Sequence, residues 1–334
     1  MIDKDYRRLL CRPEHIFDEA AIDKELLGKK ILITGAGGSI GSALTRRICQ
    51  ANPLLLYVLG HGEDSIFQLQ QRLLDSSCIR PIIADAYSHE VFTLLETGNI
   101  DLVFHTAAHK HVGLMESNPR SAFANNTQAT IWLARKCEKH NVRFVYLSTD
   151  KAVKPTTVMG ASKKLAEAWV DANCSNAVTI RLGNVLGSAG SLVEIIERRR
   201  ETGHSFNLAH RDMARHFVTV KEAVGLILTS GIGLPGKYTL YMGLPRYIEA
   251  IVRQIAPSMG ITISNKVGKE KLVEDLREDD EGYYDNLDSP IVKLTRDVKP
   301  ELVSAVLEII EDHANSGIET ESLGRLMVNI ARKI

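Results

Sequence analysis

The sequence has no net charge: 41 Lys and Arg balance 41 Asp and Glu over 334 residues. Nothing in that balance favours bulk attraction to nucleic acid or to an anionic membrane surface, although a local anion pocket stays compatible with it. Cysteine is sparse, and Cys11, Cys49, Cys78, Cys137 and Cys174 are scattered and never spaced as CxxC. That pattern argues against a disulfide framework or a zinc site and fits a reducing compartment. No apolar run approaches the roughly 18 residues of a membrane span. The opening MIDKDYRRLLCRPEHIFDEAAIDKELLGKK is charged throughout and lacks the apolar centre of a secretory signal. The expectation is a cytoplasmic protein without a membrane span or a nucleic-acid partner.

Apolar residues make up 44% of the chain, enough for a sizeable core. They fall in short runs, KKILITG, LLLYVLG, IRPIIAD, DLVFHTAA, VRFVYLS and AVTIRLG, separated by stretches of helical spacing. Continuous apolar strands alternating with helices indicate a parallel sheet covered on both faces, and right-handed crossovers leave a doubly wound arrangement. The fold expected is α/β, Rossmann-like, with a smaller interleaved C-terminal substrate-binding part. The divisions read as a leader over 1–28, a dinucleotide-binding part over 29–185 and a mainly substrate-binding part over 186–334. REDDEGYYDNLDSP (277–290) reads as an ordered surface loop. SLGRLMVNIARKI at the end is amphipathic, suited to packing on the body or on another subunit. The triplet Arg198, Arg199 and Arg200 reads as a solvated helix face.

TGAGGSIGS places Gly35, Gly38 and Gly41 between a strand and a helix. The first glycine permits a tight turn, the second lets a pyrophosphate approach the backbone, and the third allows close helix packing. Phosphate then meets the free N–H groups of the helix start, including those around Ser39 and Ile40. The second strand ends at Gly60 with no carboxylate to select the adenosine ribose of NAD, so NADP is not excluded. His61 is either a phosphate contact or a loop histidine. Asp85, ahead of Ala86, is placed either to meet the adenine amino group or to cap the next helix.

In LSTDKAVKPTTVMGASKKLAE, Ser148, Thr149, Asp150 and Lys151 follow a strand directly, where a doubly wound sheet presents side chains to its ligand. Met159 and Lys163 share one helical face. A hydroxyl, an acid and an amine in consecutive positions form a compact set for moving protons, with Lys163 placed for the nicotinamide ribose. His109 and His111 in AAHKHVG form an HxH without a nearby acid, weak as a metal site; a pocket wall is the better reading.

These segments, with AAHKHVGLMESNP, RLGNVLGSAGS, HRDMARHFVTVKEAV and GKEKLVEDL, resemble the CapD-like UDP-N-acetylglucosamine 4,6-dehydratases of the extended short-chain dehydrogenase/reductase superfamily. The leader is similar to the element that precedes the catalytic domain in membrane-anchored members. The resemblance implies a tightly held NAD or NADP contacted by Ala107, Ala108 and Lys110 as well as the glycine turn. It implies a UDP-sugar substrate and a homodimer or higher homo-oligomer paired through the helix after AAHKHVGLMESNP and the helix holding Met159.

It also implies roles. Thr149 would bond the sugar C4 oxygen, Asp150 would protonate the leaving C6 hydroxyl, and Lys151 would take the C5 proton. Methionine at position 159, where the superfamily has a proton-accepting tyrosine, matches one branch of these dehydratases. The group that takes the C4 hydroxyl proton is left open among Asp150, Lys151 and a water held by Thr149. His109, Met115 and Glu116 would line the sugar pocket. Asn184 would contact the diphosphate or serve a turn, and Arg215, Arg246, Glu270 and Lys271 lie on the nucleotide side. Ala189, where the family usually has arginine, bears on how the sugar is held. A nucleotide-sugar epimerase and an inactive dinucleotide-binding protein are the competing readings.

Overall fold

The computed structural model describes residues 6–73, 76–265, 267–285, 289–295 and 298–334. Six parallel strands form most of a nine-stranded sheet: β1 (Lys30–Thr34), β2 (Leu55–Gly60), β3 (Ile79–Ile83), β4 (Leu102–His105), β5 (Arg143–Thr149) and β6 (Ala177–Leu182). In space they run β3, β2, β1, β4, β5, β6, followed by Gly236–Leu240, Ile291–Thr295 and Gly282–Asp285. The chain leaves β1 for β2 on one side and returns to β4 on the other. This switch opens a crevice at the carboxyl ends of β1 and β4, where a doubly wound sheet takes its ligand. Helices cover both faces, so all four residues of β4 and all six of β6 are buried. Their β-branched and aromatic side chains suit that two-sided burial.

The part after residue 186 is woven into the sheet rather than set apart from it. Gly236–Leu240 joins β6 in parallel, Ile291–Thr295 pairs antiparallel to Gly236–Leu240, and Gly282–Asp285 pairs antiparallel to Ile291–Thr295. The segment expected to be a surface loop therefore supplies the edge strand Gly282–Asp285, and its Glu281 is buried; residues 286–288 of that segment lie outside the described residues. The reason is charge. Arg181 is wholly buried in β6 and Lys237 nearly so, and they are met by Glu281 and by Glu167 of the helix Val158–Asn173. An acidic stretch is drawn inward because two buried cations need it.

The leader is equally integrated. Leu9 and Leu10 are buried against Ile248, Ile251 and Phe217 in a third apolar cluster. Arg12 pairs with Glu222 at 2.5 Å and donates to Met242 O at 3.0 Å. Glu222 also completes the capping box of Thr219 at the start of Val220–Ile232.

At the other end, Leu323, Met327 and Ala331 pack into the core beside the helix Val158–Asn173, with Gly324 against Val158. The final amphipathic stretch therefore packs on the body. It and the helix Pro300–Asn315 cover the helix that holds Met159, which is buried from Val158 to Val170. The chain's own C-terminal helices thus pack against the helix for which subunit pairing is implied. Among the described residues no helix is long and apolar enough to cross a membrane.

Replacing Glu167 by Gln leaves Arg181 and Lys237 short of an anion and should lower stability by about 3–5 kcal/mol in denaturant unfolding. Burial alone would raise the Glu167 carboxyl, but Arg181 and Lys237 outweigh it and hold it well below the usual range. A depressed acid contributes fully above the unfolded value near pH ~4.3 and loses that contribution as the pH falls. The variant should therefore show a shallower acid limb, measured as unfolding midpoint against pH.

Candidate active site

β5 delivers the central residues. Its last position, Thr149, caps a short helical turn over Asp150–Ala152, and this turn aims Asp150 inward and Lys151 across the crevice. Thr149 Oγ1 donates to Asp150 Oδ1 at 2.9 Å. Lys151 Nζ donates to the same oxygen at 2.9 Å and to Asn184 Oδ1 at 3.1 Å. Asp150 is wholly buried, and its Oδ2 is buried with no hydrogen-bond partner. One carboxylate oxygen is thus saturated and the other left with open lone pairs. The three consecutive residues, with Asn184, converge as a single hydrogen-bonded set.

The glycine turn lies beside them. Gly35 has φ +67°, and a Cβ there would stand 2.7 Å from the Ala107 backbone; at Gly41 it would stand 2.2 Å from Gly35 O. Only glycine fits both close approaches. Gly38 precedes the helix Ser39–Gln50, whose start has no side-chain cap, so its first amides lack a partner from the helix itself. The turn, Ala107 and Ala108 thus form a cradle that suits a dinucleotide pyrophosphate.

Two of the side chains read as cofactor contacts are engaged with the segment that crosses this turn. Ser39 Oγ accepts from Ala189 N at 2.9 Å, and Lys110 Nζ donates to Ala189 O. Ile40 packs toward the core. Gly60 ends β2, followed by exposed His61, which faces His109; burial and His61 together lower the His109 pKa. Asp85 is exposed and Ala86 buried, and the helix His89–Thr97 is capped by Ser88, not by Asp85.

Lys163 lies under the crevice, nearly buried, its ammonium 4.2 Å from the centre of the Tyr146 ring. Burial draws its pKa down to about 7, against the raising charge of Glu167. Met159, one turn earlier, is buried and offers only a thioether. Tyr146 does not replace the absent tyrosine: burial pushes its phenol well above the ordinary range, and its hydroxyl donates to Lys163 O at 3.4 Å.

Beneath this layer, buried His105 bridges Thr34 Oγ1 at 2.7 Å and Thr130 Oγ1 at 2.9 Å, and burial lowers its pKa to about 3, so the ring stays neutral. Asn126 accepts from His109 N at 2.8 Å and donates to His109 O and Ser162 Oγ, which fixes the His109 loop. It sits in a wide helical turn, Phe123–Gln128, of the kind that accompanies functional sites. Neither residue was singled out from sequence. Two adjacent asparagines inside a helical stretch, where asparagine is disfavoured, were the available signal for Asn126.

On the outer side, Arg215 is buried and donates to Ala214 O, Leu272 O and Glu270 Oε2 at 2.8–3.0 Å. Lys271 Nζ donates to Val153 O at 2.6 Å, joining this segment to the Asp150 turn. Arg246 pairs in register with Arg215 and donates to Leu9 O at 3.1 Å. Glu116 accepts from Val158 N at 2.7 Å, holding the start of the Met159 helix, and pairs with Lys269. Met115 is a core residue beside it.

Glu274, not foreseen from sequence, is 4% exposed; its buried Oε2 has no hydrogen bond and lies 3.5 Å from Lys271 Nζ. Burial raises its pKa, opposed by Lys151 and reinforced by Asp150.

The polysaccharide biosynthesis protein family model matches residues 31–287. The chain belongs to that family. It is 38% identical over 288 residues to the capsular polysaccharide biosynthesis protein CapD of Staphylococcus aureus, covering 80% of this chain and 48% of that protein. The chain thus spans about half the length of that curated relative. It is 28% identical over 270 residues to a UDP-N-acetylglucosamine 4,6-dehydratase (inverting) of Campylobacter jejuni, covering 77% of this chain and 79% of that one. Among solved structures, Pen from Bacillus thuringiensis superposes with a TM-score of 0.74 at 26% identity, over 80% of this chain and 86% of that one. The polysaccharide biosynthesis family and the extended short-chain dehydrogenase/reductase fold therefore frame the site.

Lys163 binds fewer protons in the folded chain than in the unfolded one between pH ~7 and ~10.4, so the cost of burying it shrinks as the pH rises. Lys163→Met should accordingly raise Tm by about 1–3 °C at pH 6, with the gain fading by pH 10, in scanning calorimetry at the two pH values.

Proposed function

We propose that this chain is a nucleotide-sugar 4,6-dehydratase that holds a nicotinamide dinucleotide and acts on UDP-N-acetylglucosamine or a close N-acetyl sugar nucleotide. The observation that carries the reading is the hydrogen-bonded set Thr149, Asp150, Lys151 and Asn184 at the carboxyl end of β5, adjoining the glycine cradle. The Campylobacter relative, named for this reaction, supports it.

The dinucleotide pyrophosphate would rest on Gly35, Gly38, Ser39, Ile40 and Gly41, with Asp85 and Ala86 toward the adenine. Ala107, Ala108 and Lys110 would flank it, and Lys163 would face the nicotinamide ribose. When bound, the nicotinamide accepts and returns the hydride of the sugar. Because β2 ends at Gly60 and His61 without a carboxylate, NADP is accommodated as well as NAD.

Lys151 takes the proton from C5, which a neighbouring ketone makes acidic. Asp150, through its unpartnered oxygen, donates a proton to the C6 hydroxyl as it leaves. Thr149 directs the sugar's C4 oxygen toward the pair, and Asn184 holds the lysine. The diphosphate and uridine lie toward Arg215, Arg246, Glu270 and Lys271, with His109, Met115 and Glu116 supporting the sugar side.

Incubation with UDP-N-acetylglucosamine should yield a product lighter by one water in mass spectrometry, with no net use of added dinucleotide. Asp150→Asn should slow water loss by about 100-fold or more. Unchanged substrate at high protein concentration would refute the reading. Epimerised sugar formed equally well by the Asp150→Asn protein would replace it with a 4-epimerase, which has no need of the Asp150–Lys151 pair.

A further inference from the structure

Among the described residues, seven buried side-chain polar atoms have no hydrogen-bond partner, and Asp150 Oδ2, Glu274 Oε2 and His216 Nδ1 are three of them. The first two belong to the site already described. His216 is joined to it through the backbone: its carbonyl accepts from Asn184 N at 2.8 Å, and Asn184 Oδ1 in turn accepts from Lys151. The adjacent Phe217 pairs in register with Asn184, and a Cβ on Gly183 would stand 2.8 Å from His216 O, so the approach is close.

The Gly243 backbone bonds the other side of the ring. In a neutral imidazole this leaves the hydrogen on Nε2 and a bare lone pair on Nδ1. A basic nitrogen and an open carboxylate oxygen, buried in one neighbourhood and each lacking a partner, are the features of a place where a hydroxyl is to bind and give up its proton.

We propose that His216 is the proton acceptor that stands in for the missing tyrosine: it takes the proton of the sugar's C4 hydroxyl and passes it to Asp150. The assignment rests on the dehydratase reading. Its proton balance closes. The C4 O–H bond breaks, the carbonyl forms as hydride leaves C4 for a nicotinamide dinucleotide, and the proton goes to Nδ1. His216 hands that proton to the Asp150 carboxylate, which gives it to the departing C6 hydroxyl and is left as a carboxylate again. The C5 proton stays with Lys151 and goes back to C5 when hydride returns to C6.

The charged groups acting on the ring are Asp150 and Asp275, both of which favour its protonated form, while burial favours the neutral base. A phenol-free site thus keeps a group that is uncharged when it must accept and that feels the charge of the carboxylate it must supply.

Two measurements test this. In the protein without substrate, NMR of ring-labelled histidine identifies the His216 signal by its loss in His216→Gln. Its titration midpoint should fall in Asp150→Asn, because a raising charge is removed; an unmoved midpoint overturns the coupling and the relay with it. In single turnover, C4 oxidation is compared with deuterium exchange at C5 of a supplied 4-keto sugar nucleotide, a reaction that uses Lys151. His216→Gln should lower the ratio of oxidation to exchange by about 100-fold. An unchanged ratio, with both reactions present in the unmodified protein, overturns the role of His216 and leaves the dehydratase standing. Absence of both reactions in the unmodified protein refutes the dehydratase reading itself, and the inference falls with it.

Discussion

The arrangement depends on a cluster of charges placed where charge is most costly. Arg181 and Lys237 lie on neighbouring strands deep in the sheet, ringed by Glu167, Asp171 and Glu281. Two cations against three acids would leave a surplus negative charge, and burial resolves it by raising Asp171, so that acid is the first to take a proton. Glu167 also accepts from Ser148 at 2.8 Å. One carboxylate therefore ties β5, β6 and the helix Val158–Asn173 together immediately below Thr149, Asp150 and Lys151. A buried pair adds little to stability over an apolar equivalent, but separating it strands a charge in the core, which favours the strand pairing that keeps both partners together. The Asp150–Ala152 turn inherits its position from that pairing.

The same principle explains which features were legible in the sequence. The glycine turn, the strands of the first half and the Thr149–Asp150–Lys151 run are local: their residues are adjacent in the chain, and strand and turn chemistry fix them without knowledge of the rest. What escaped is non-local. Gly282–Asp285 reads as a polar loop because its reason for being a strand, Arg181, lies about a hundred residues earlier. The leader reads as a separate segment because Glu222, which anchors Arg12, lies on a distant helix. His105 and Asn126 each look like a lone polar residue in a helix or strand. Their significance is the partner set Thr34, Thr130, Ser162 and the His109 backbone, assembled only when β1, β4 and two helices meet.

The site also has two layers with opposite electrostatic character. Below the crevice, His105 is kept neutral, Tyr146 is kept protonated, and Lys163 is brought close to neutrality, all by burial. Above it, Asp150, Lys151, Lys271, Glu274 and Arg215 form a mixed-charge rim in which each group influences the ionisation of Glu274. Under the proposed function, such a division suits a flat nicotinamide ring against the lower layer and proton exchange with a polar substrate at the upper one.

Methionine at position 159 belongs to this division rather than disturbing it. In an enzyme with tyrosine there, a lysine four residues on would keep its charge by stabilising a phenolate. A thioether carries no charge, so only Glu167 opposes the desolvation of Lys163, and burial wins: the pKa falls to about 7. The helix gains in exchange a continuous apolar surface, Val158, Met159, Ala161, Leu165 and Ala166, on which the C-terminal helices Pro300–Asn315 and Thr320–Ala331 close. In the proposed reaction, proton transfer falls to Asp150 and His216, whose Oδ2 and Nδ1 are buried without hydrogen-bond partners. Polar atoms are left unsatisfied in a folded core only at a cost, which a sugar hydroxyl would relieve at these two under the proposed function.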